Sequence, residues 1–450
     1  MQDARSLISK ALHQCEPSET QVRRIEAVAK EAKELVDRYV AHMDDVVDVV
    51  FGGSFAKGTW LPGDADIDIF VKIKPSVGIE KFEEMGIDIG NKTLKKYGPK
   101  LRYSDHPYVE AFVKKIRVNV VPCYDVEQGK WKSAADRSPF HTSYIRSRFD
   151  DEKRGQARLL KKFFKTLCIY GAETSTAGFS GYVTEVLLLK YCTFENVLLA
   201  AADWHERQVI AVGNYDTDFV NGFSSPLTII DPVDSRRNLG TAISPESVAK
   251  FMLAARAFLE RPSLEFFKKN KGHDASFEQL LSNVLIVEFS HRPKSPDVIW
   301  GQLKRSMNSL TKQLELAHFS VLRSSCLTDE RSSAAFVFLL ESITLPRYVK
   351  KKGPKIFRRK DTASFLSNRN RPYVIWVDKE MTIATLVDRK AKDARKFVKS
   401  LLLNNVEKSG ISRDLIESKL QIYAGNDKKI KGVVKQAVGK VVSTERLIFR

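Results

Sequence analysis

Hydrophobic positions in the first third of the chain recur with two different periods. Between residues 3 and 44 they return every three or four positions, which predicts helix, and Ile79–Lys96 has the same spacing. Three other runs are short and apolar, or alternate between polar and apolar residues as strands do: Val46–Phe51, Asp66–Ile73 and Lys115–Val121. Helices interleaved with strands predict an α/β first part with a short mixed sheet.

From residue 150 onward the apolar spacing is mainly helical. Apolar stripes of helical period lie at Leu159–Leu167, Val183–Ala202 and Ser247–Leu259. After residue 263 helices mix with strands such as Val284–Phe289 and Ala335–Leu340, and a strand at Tyr373–Val377 precedes long helical segments. The fold class predicted for the whole chain is therefore α+β.

The composition is that of a folded, basic protein. The 450 residues include 74 Lys and Arg against 55 Asp and Glu, a formal net charge of +19, and 43% are hydrophobic, which excludes global disorder. The positive charge favours a polyanionic partner, nucleic acid first, although it could simply keep the surface soluble. Five scattered cysteines without a CxxC pair argue against a zinc site or a disulfide framework.

Neither a membrane segment nor a targeting signal is expected. No window of about 18 uncharged apolar residues exists, and the N-terminus lacks the apolar core of a signal peptide. A reduced, cytoplasmic protein without a membrane partner is therefore the expectation.

One segment between the first two predicted strands carries the most informative pattern. An apolar run ends in Gly52, Gly53 and Ser54, where glycines let an anion approach the backbone, although a lone Gly-Gly-Ser more often marks a turn. Asp66 and Asp68 alternate with isoleucines, so both carboxylates point to one face of a strand. Side by side they repel each other unless a divalent cation lies between them, and such oxygen ligands suit Mg²⁺. A solvated edge strand would explain the acids but not the glycines.

These motifs resemble those of a known family. Gly53-Ser54, a gap of eleven residues and Asp66-x-Asp68 are similar to the nucleotidyltransferase superfamily of DNA polymerase beta. Further segments resemble, in the same order, the archaeal (class I) CCA-adding enzymes, which are tRNA nucleotidyltransferases: Gly52–Trp60, Val120–Tyr124, Asp136–His141, Arg158–Lys161, Ile169–Glu173, Gly178–Tyr182 and Asp231–Asn238. The resemblance implies a polymerase-beta-like head with a short mixed sheet, a helical neck, and a mixed α/β body and tail.

The same resemblance implies an activity and a function for each part of the chain. The head (1–149) would be catalytic, the neck (150–260) would recognise the nucleotide, and the body (261–365) and tail (366–450) would bind tRNA. The implied reaction is template-independent addition of CCA to the 3′ end of tRNA from CTP and ATP, with two Mg²⁺ ions and release of pyrophosphate. The implied contacts are with the acceptor and TΨC arms of tRNA, and homodimers are common in the family.

Roles of single residues are implied as well. Asp66 and Asp68 would bind both metals, while Gly53, Ser54 and Lys57 would lie at the triphosphate, Lys57 replacing the usual Arg. Further nucleotide contacts are implied for His141, Lys161, Tyr170 and Arg237, the last as a reader of the base edge. Without the resemblance, the basic stripe that includes Lys161 would be a solvated helix face, and Arg237 could equally be an ion-pair partner.

One position departs from the family. The third catalytic metal ligand is a carboxylate on the strand before Val-Pro-Cys-Tyr, and in this chain it is Asn119, whose parity with Arg117 places it on the active-site face. An amide oxygen can coordinate Mg²⁺ but carries no charge, so nucleotide binding should survive while the chemistry is in doubt. Three interpretations stay open: a natural variant that works with Asn, a substitute carboxylate such as Asp125, or a weakened enzyme.

Two other functions compete with CCA addition. A related template-independent transferase, such as a poly(A) polymerase, would share the head motif. A tRNA-binding protein with a vestigial nucleotide site would explain Asn119. The basic stretch Arg347–Lys360 supports an RNA partner in all cases, unless it is merely a flexible basic loop.

Overall fold

The structure is a computed structural model that describes most of the chain: residues 2–103, 106–216, 219–220, 222–268, 275–367, 373–404, 409–412, 415 and 419–449. Two compact units are present, Met1–Lys271 with Glu445–Arg450, and Gly272–Thr444. Both contain helices and sheets, so the α+β class is confirmed. The finer division into head, neck, body and tail stays a prediction. Among the described helices, none combines the length and apolar composition that a bilayer crossing requires.

The first unit begins with helices packed on a five-stranded sheet. Its elements are α1 (Gln2–Cys15), α2 (Glu19–Val40), β1 (Val46–Gly52), α3 (Gly53–Lys57), β2 (Asp66–Ile73), α4 (Ile79–Thr93), β3 (Lys100–Tyr103), β4 (Pro107–Val113) and β5 (Ile116–Tyr124). The strand order is β1-β2-β5-β4-β3, with β2 and β5 parallel and the other neighbours antiparallel. The predicted short mixed sheet is therefore confirmed.

The alternation of β2 decides which face of the sheet is buried. Ile67, Ile69, Val71 and Ile73 are at most 1% exposed and pack with apolar residues of α2 and α4. The aspartates between them consequently lie on the opposite face. The hydrophobic effect thus fixes the register that exposes both carboxylates on one side.

The helical prediction over residues 3–44 corresponds to two helices in the structure. Helix α1 ends at Cys15, and α2 begins after Ser18, whose side chain accepts a hydrogen bond from the Gln21 N–H. The Gln21 side chain in turn accepts from the Ser18 N–H, which completes a capping box. Pro17 lacks the N–H that a continuous helix would need.

The remainder of the first unit is mainly helical, as predicted. Its elements are α5 (Arg137–Arg146), α6 (Asp151–Thr166), α7 (Gly181–Tyr191), α8 (Phe194–Ala202), β6 (Gln208–Ile210), β7 (Leu227–Ile229) and α9 (Pro245–Glu260). The single helix predicted over Val183–Ala202 is wrong, because Cys192 has a φ of 70° and the Thr193 side chain caps α8. A residue in the left-handed region ends a helix.

The second unit contains two sheets with intervening helices. Its elements are β8 (Val284–Ser290), α10 (Pro296–Leu316), β9 (Val321–Thr328), β10 (Ser333–Leu340), β11 (Tyr348–Lys355), α11 (Arg359–Ser367), β12 (Val374–Val377), β13 (Thr382–Asp388), α12 (Ala394–Asn404), β14 (Gln421–Ala424) and α13 (Gly432–Val442). The sheet orders are β14-β8-β10-β9 and β11-β13-β12. Among the described residues after 377 the two helices have 11 residues each, with β13 before them and β14 between them, so the long helical segments predicted there are not found in this part of the chain. Most of the basic stretch is strand β11 rather than a loop.

Candidate active site

Five polar residues lie together on the exposed face of the first sheet. Strand β5 places Arg117 opposite Asp66 and Asn119 opposite Asp68. On its other side, β4 places Glu110 opposite Asn119. Directly paired residues project from the same side of a sheet, so the five side chains share one face. These residues are named the aspartate face below.

The turn of Gly52, Gly53 and Ser54, named the glycine turn below, lies against the aspartate face. Gly53 begins α3 directly after β1, and its φ of +63° lies in the region that favours glycine. A Cβ atom on Gly53 would also lie 1.9 Å from Asp68 Oδ2. Both the backbone conformation and the close approach therefore require glycine. Ser54 follows in the same short helix.

Some polar atoms of the aspartate face have hydrogen-bond partners and others do not. Asn119 Nδ2 donates to Asp68 Oδ1 at 2.8 Å, whereas the buried Asn119 Oδ1 has no hydrogen-bond partner among the described residues. Arg117 donates two bonds to Asp66, from Nε at 2.8 Å and from Nη2 at 2.5 Å. Burial raises the pKa of Asp68, and the hydrogen bond from Asn119 only partly opposes this effect.

The oxygens of this face fit a divalent cation. Among the described residues no group of three His, Cys, Asp or Glu side chains could hold a metal, so the aspartate face must rely on two carboxylates and an amide. The unpartnered Asn119 Oδ1 is an oxygen that a hard cation beside Asp66 and Asp68 would satisfy. Asp66, Asp68 and Asn119 are accordingly the residues that would hold such an ion.

Asp125 does not replace the missing carboxylate. It follows the last residue of β5 and pairs with Lys72 at 2.9 Å, so it lies at the opposite end of the strand from the aspartates. Six residues of extended chain separate it from Asn119, a span of roughly 20 Å. This alternative is therefore wrong on grounds of strand geometry.

A second cluster of charges is buried between the glycine turn and the helical region. Glu185 of α7 is 0% exposed and accepts from Lys57 at 2.5 Å, from Thr59 at 2.5 Å and from Lys161 at 3.0 Å. Lys161 also donates to the Thr59 hydroxyl at 2.8 Å and to its carbonyl at 3.0 Å. These four residues are named the Glu185 cluster below. Lys57, predicted at the triphosphate, and Lys161, predicted as a nucleotide contact, thus bind a buried glutamate in this structure.

Electrostatics within the Glu185 cluster follow from burial and pairing. Burial disfavours the Glu185 carboxylate, but the charges of Lys161 and Lys57 and their hydrogen bonds outweigh it and lower its pKa to about 2. Burial lowers the pKa of Lys161 to about 8, against the attraction of Glu185. At 1% exposure, Lys161 is not part of a solvated helix face.

A third group of side chains surrounds Asp231. His141 Nε2 lies 2.8 Å from Asp231 Oδ2, and the Tyr182 hydroxyl donates to Asp231 Oδ1 at 3.1 Å. The His141 ring stacks on Tyr182 with centroids 3.8 Å apart, and Arg237 Nη1 lies 3.5 Å from Asp231 Oδ2. Burial lowers the pKa of His141, which therefore favours the neutral ring. The Arg237 side chain stays 41% exposed.

Tyr170 lies apart from the Asp231 group, after α6. It forms a bridge with Phe179, and the Lys165 ammonium lies 4.8 Å from its ring centroid. Lys57 connects the other groups, because its ammonium is 5.5 Å from the Tyr182 ring centroid while it pairs with Glu185. The structure thus brings Lys57, Lys161 and His141 near one another, and the Tyr170 hydroxyl and the Lys161 ammonium both lie beside Gly181 at the start of α7.

Sequence reasoning missed three residues that organise the site: Glu110, Tyr182 and Glu185. Glu185 did carry a signal, since it is a carboxylate inside an apolar helical run and burial of such a group demands a partner. Glu110 carried a similar one, as the single acid of the apolar strand β4. Neither signal named its partner, because Glu185 contacts residues 24 to 128 positions away and Glu110 contacts arginines on the neighbouring strands β3 and β5.

Known families match three consecutive parts of the chain. Residues 28–141 match the nucleotidyltransferase domain, residues 155–268 the second domain of tRNA nucleotidyltransferase, and residues 282–425 the C-terminal domain of CCA-adding enzyme. Among solved structures, one of the Cid1 poly(U) polymerase is similar at 14% identity, with a TM-score of 0.48 over 59% of this chain and 98% of that one.

Curated relatives match the chain over most of its length. A CCA-adding enzyme of Pyrobaculum neutrophilum is 35% identical over 79% of this chain and 84% of its own. Those of Saccharolobus shibatae and Methanothermobacter thermautotrophicus are 35% and 31% identical, over 87% and 88% of this chain and 90% and 87% of their own. The nucleotidyltransferase head, the aspartate face and these relatives agree: the chain belongs to the family of CCA-adding enzymes, the tRNA nucleotidyltransferases.

Proposed function

We propose that this chain adds CCA to the 3′ end of tRNA, using CTP twice and ATP once and releasing pyrophosphate. The observation that carries the proposal is the placement of Asp66 and Asp68 on one face of β2, against the glycine turn, in a member of this family. The attacking group is the tRNA 3′-hydroxyl, and the bond that breaks joins the α- and β-phosphates of the incoming nucleotide.

The aspartate face would hold two Mg²⁺ ions through Asp66, Asp68 and Asn119. When bound, such ions supply positive charge to the transferring phosphoryl group and to the attacking hydroxyl. The protein's own contribution is to hold these oxygens rigidly on paired strands and to keep Gly53 free of a side chain beside Asp68. Because Asn119 is neutral, we expect the chemistry to proceed with less metal-site charge than three carboxylates would give.

The groups around Asp231 and Glu185 would form the nucleotide pocket. Arg237 keeps its exposed donors for acceptors on the edges of cytosine and adenine, while Asp231 fixes the position of its guanidinium. His141 and Tyr170 would contact the nucleotide from α5 and from the segment after α6. Lys57 and Lys161 supply positive charge near the triphosphate, with Gly53 and Ser54 at the turn, and Glu185 holds both ammonium groups in place.

The tRNA would be held largely by positive charge on the second unit. Strand β11 and the residues after it expose seven basic side chains: Lys350, Lys351, Lys352, Lys355, Arg358, Arg359 and Lys360. Tyr348 and Phe357, 43% and 75% exposed, lie among them as stacking surfaces. Phosphate contacts of this kind suit the acceptor and TΨC arms, whose helical shape is recognised rather than their sequence. Homodimerisation and a cytoplasmic location complete the proposal.

A gel assay tests the proposed reaction. The chain is incubated with tRNA that lacks its last three nucleotides, with Mg²⁺ and with CTP and ATP separately and together. We expect growth by two nucleotides with CTP alone and by three with both. Asp68→Asn should abolish growth, whereas the exposed and remote Asp203→Asn, which makes the same chemical change, should not.

The same assay separates the competing functions. A poly(A)-polymerase-like enzyme would add adenylates without prior cytidylates and would not stop after three. A tRNA-binding protein with a vestigial site would shift tRNA in a native gel but extend it under no divalent metal. Recovery of growth in Asn119→Asp alone would mean that the reaction is assigned correctly and that Asn119 disables it.

A further inference from the structure

Arg117 occupies a position between two carboxylates of the aspartate face. Its Nε and Nη2 atoms donate to both oxygens of Asp66, at 2.8 Å and 2.5 Å. Its remaining nitrogen, Nη1, lies 3.9 Å from Glu110 Oε2. A guanidinium bound to both oxygens of a carboxylate is among the stronger polar contacts in proteins. Asp66, the first of the expected metal ligands, is therefore already bound by a cation of the protein itself.

Glu110 offers a second acceptor for the same guanidinium. It is 5% exposed, and Arg102 donates two hydrogen bonds to its Oε1 atom, at 2.8 Å and 3.1 Å. The other oxygen, Oε2, is the one that faces Arg117. A charge-assisted hydrogen bond is about 2.9 Å long, so Arg117 needs to move by only about 1 Å to bind Glu110.

The charges on this face explain why an internal cation is useful. Three carboxylates share this face, Asp66 and Asp68 on β2 and Glu110 on β4, with β5 between the two strands, and like charges gathered on one face of a sheet repel one another. Arg117 neutralises part of this repulsion in the protein without metal. Once a divalent cation binds Asp66, the arginine becomes a competing positive charge and must leave that carboxylate.

We infer that Arg117 is an internal cation that a divalent metal displaces from Asp66, and that Glu110 Oε2 receives its guanidinium. Arg117 and Glu110 are thus positioning residues that set the metal affinity of the aspartate face. The inference rests on the proposed function, because it takes Asp66 and Asp68 as metal ligands. It predicts that the protein without nucleotide binds divalent metal more weakly than its two aspartates would allow.

Titration with Mn²⁺ tests the inference on the full chain without nucleotide. The electron paramagnetic resonance signal of free Mn²⁺ reports the bound fraction. Arg117→Gln should bind Mn²⁺ roughly tenfold more tightly, since a charge-assisted hydrogen-bond pair no longer competes for Asp66. Arg23→Gln is the matched control, because Arg23 is 80% exposed and pairs with Glu19 on helix α2. It should leave the affinity unchanged within about twofold.

Glu110→Gln tests the second half of the inference. It should weaken Mn²⁺ binding several-fold in the natural chain, because the displaced guanidinium loses its acceptor. The loss should be clearly smaller in the Arg117→Gln background, where there is no guanidinium to receive. Equal losses in the two backgrounds would mean that Glu110 acts only through its charge, which would overturn its role as the acceptor.

Three results decide between the inference and the function on which it rests. If Asp68→Asn leaves Mn²⁺ binding intact, the metal site itself is misplaced and the proposed function fails there. If Asp68→Asn abolishes binding but Arg117→Gln binds like Arg23→Gln, only the internal cation is refuted.

Should Arg117→Gln fail to fold, judged by circular dichroism, Arg117→Lys replaces it. Lysine keeps the charge but loses the bidentate contact, so an affinity about threefold tighter is expected and an unchanged one refutes the inference.

Discussion

The Glu185 cluster and the aspartate face both contain carboxylates beside basic side chains, but they differ in how completely those groups are paired. Both oxygens of Glu185 accept hydrogen bonds, and the residue is fully buried. On the aspartate face a buried amide oxygen has no partner among the described residues, and the aspartates are partly exposed. A fully paired buried cluster fixes one arrangement, whereas unsatisfied oxygens mark a place for a ligand.

This difference changes what the lysines of the site are expected to do. Family resemblance assigns Lys57 to the triphosphate and Lys161 to the nucleotide, yet both donate to Glu185 across 128 and 24 positions of sequence. In this structure Lys57 and Lys161 connect the glycine turn to helices α6 and α7. In the proposed function Glu185 would therefore act as a positioning residue for the nucleotide pocket, while the aspartate face would carry the chemistry. Changes in the two regions should consequently separate stability from activity.

Removal of the central carboxylate should produce the largest effect on stability. Glu185→Ala leaves two buried ammonium groups without their partner and should lower the free energy of unfolding by about 3–5 kcal/mol. Urea unfolding followed by circular dichroism measures it. Glu195→Ala, at an exposed position of α8, is the control and should cost under about 0.5 kcal/mol. A loss below about 1 kcal/mol for Glu185→Ala would show that the cluster is not structural.

On the aspartate face we expect a large loss of activity without a loss of stability. Asp68→Asn should lower kcat by about 10²–10³-fold, which corresponds to about 2.7–4 kcal/mol of transition-state stabilisation. It should not lower the free energy of unfolding, because burial raises the pKa of Asp68 and its charged form is the disfavoured one. Single-turnover extension of tRNA and urea unfolding give the two values. A large loss of stability in this variant would remove the distinction between the two regions.

A carboxylate at position 119 should have a smaller effect, on the affinity of the aspartate face for Mg²⁺. Asn119→Asp adds a negative charge opposite Asp68, so the Mg²⁺ concentration for half-maximal extension should fall about tenfold, or about 1.4 kcal/mol. Without metal the two carboxylates repel each other, so the same variant should unfold at a lower temperature in EDTA and recover in Mg²⁺. If the half-maximal concentration does not change, Asn119 does not face the metal.

Much of this site could be predicted from local patterns in the sequence. The alternation of Asp66–Ile73 predicts both the strand and the face of its aspartates, and strand parity predicts the side on which Asn119 lies. The break between α1 and α2 was also visible, because Pro17 and a Ser-x-x-Gln pattern precede α2. Signals of this kind depend on neighbours within a few residues.

Contacts between distant segments could not be predicted in the same way. The pairing of Arg117 with Asp66 depends on the parallel alignment of β5 with β2, 51 positions away, which no local pattern fixes, whereas Glu110 lies on β4, the strand that directly precedes β5. Glu185 likewise finds Lys57 only because helix α7 packs beside the glycine turn. The helical period marks Glu185 as an interruption of an apolar run, and only the tertiary structure supplies its partners.

The smallest of the expected effects concerns acid pH. Since the pKa of Glu185 is about 2 in the folded chain and 4.5 ordinarily, its stabilisation is complete above pH 4.5 and is lost as the pH falls towards 2. At pH 7 the natural chain should be more stable than Glu185→Gln. By pH 4 this difference in the free energy of unfolding should have fallen by about 1 kcal/mol. Urea unfolding of both chains at several pH values measures this difference, in which the contributions of all other carboxylates cancel. A difference that stays constant down to pH 4, or grows, would mean that Glu185 is not held ionised by Lys57 and Lys161, and the contrast with the aspartate face would then rest on burial alone.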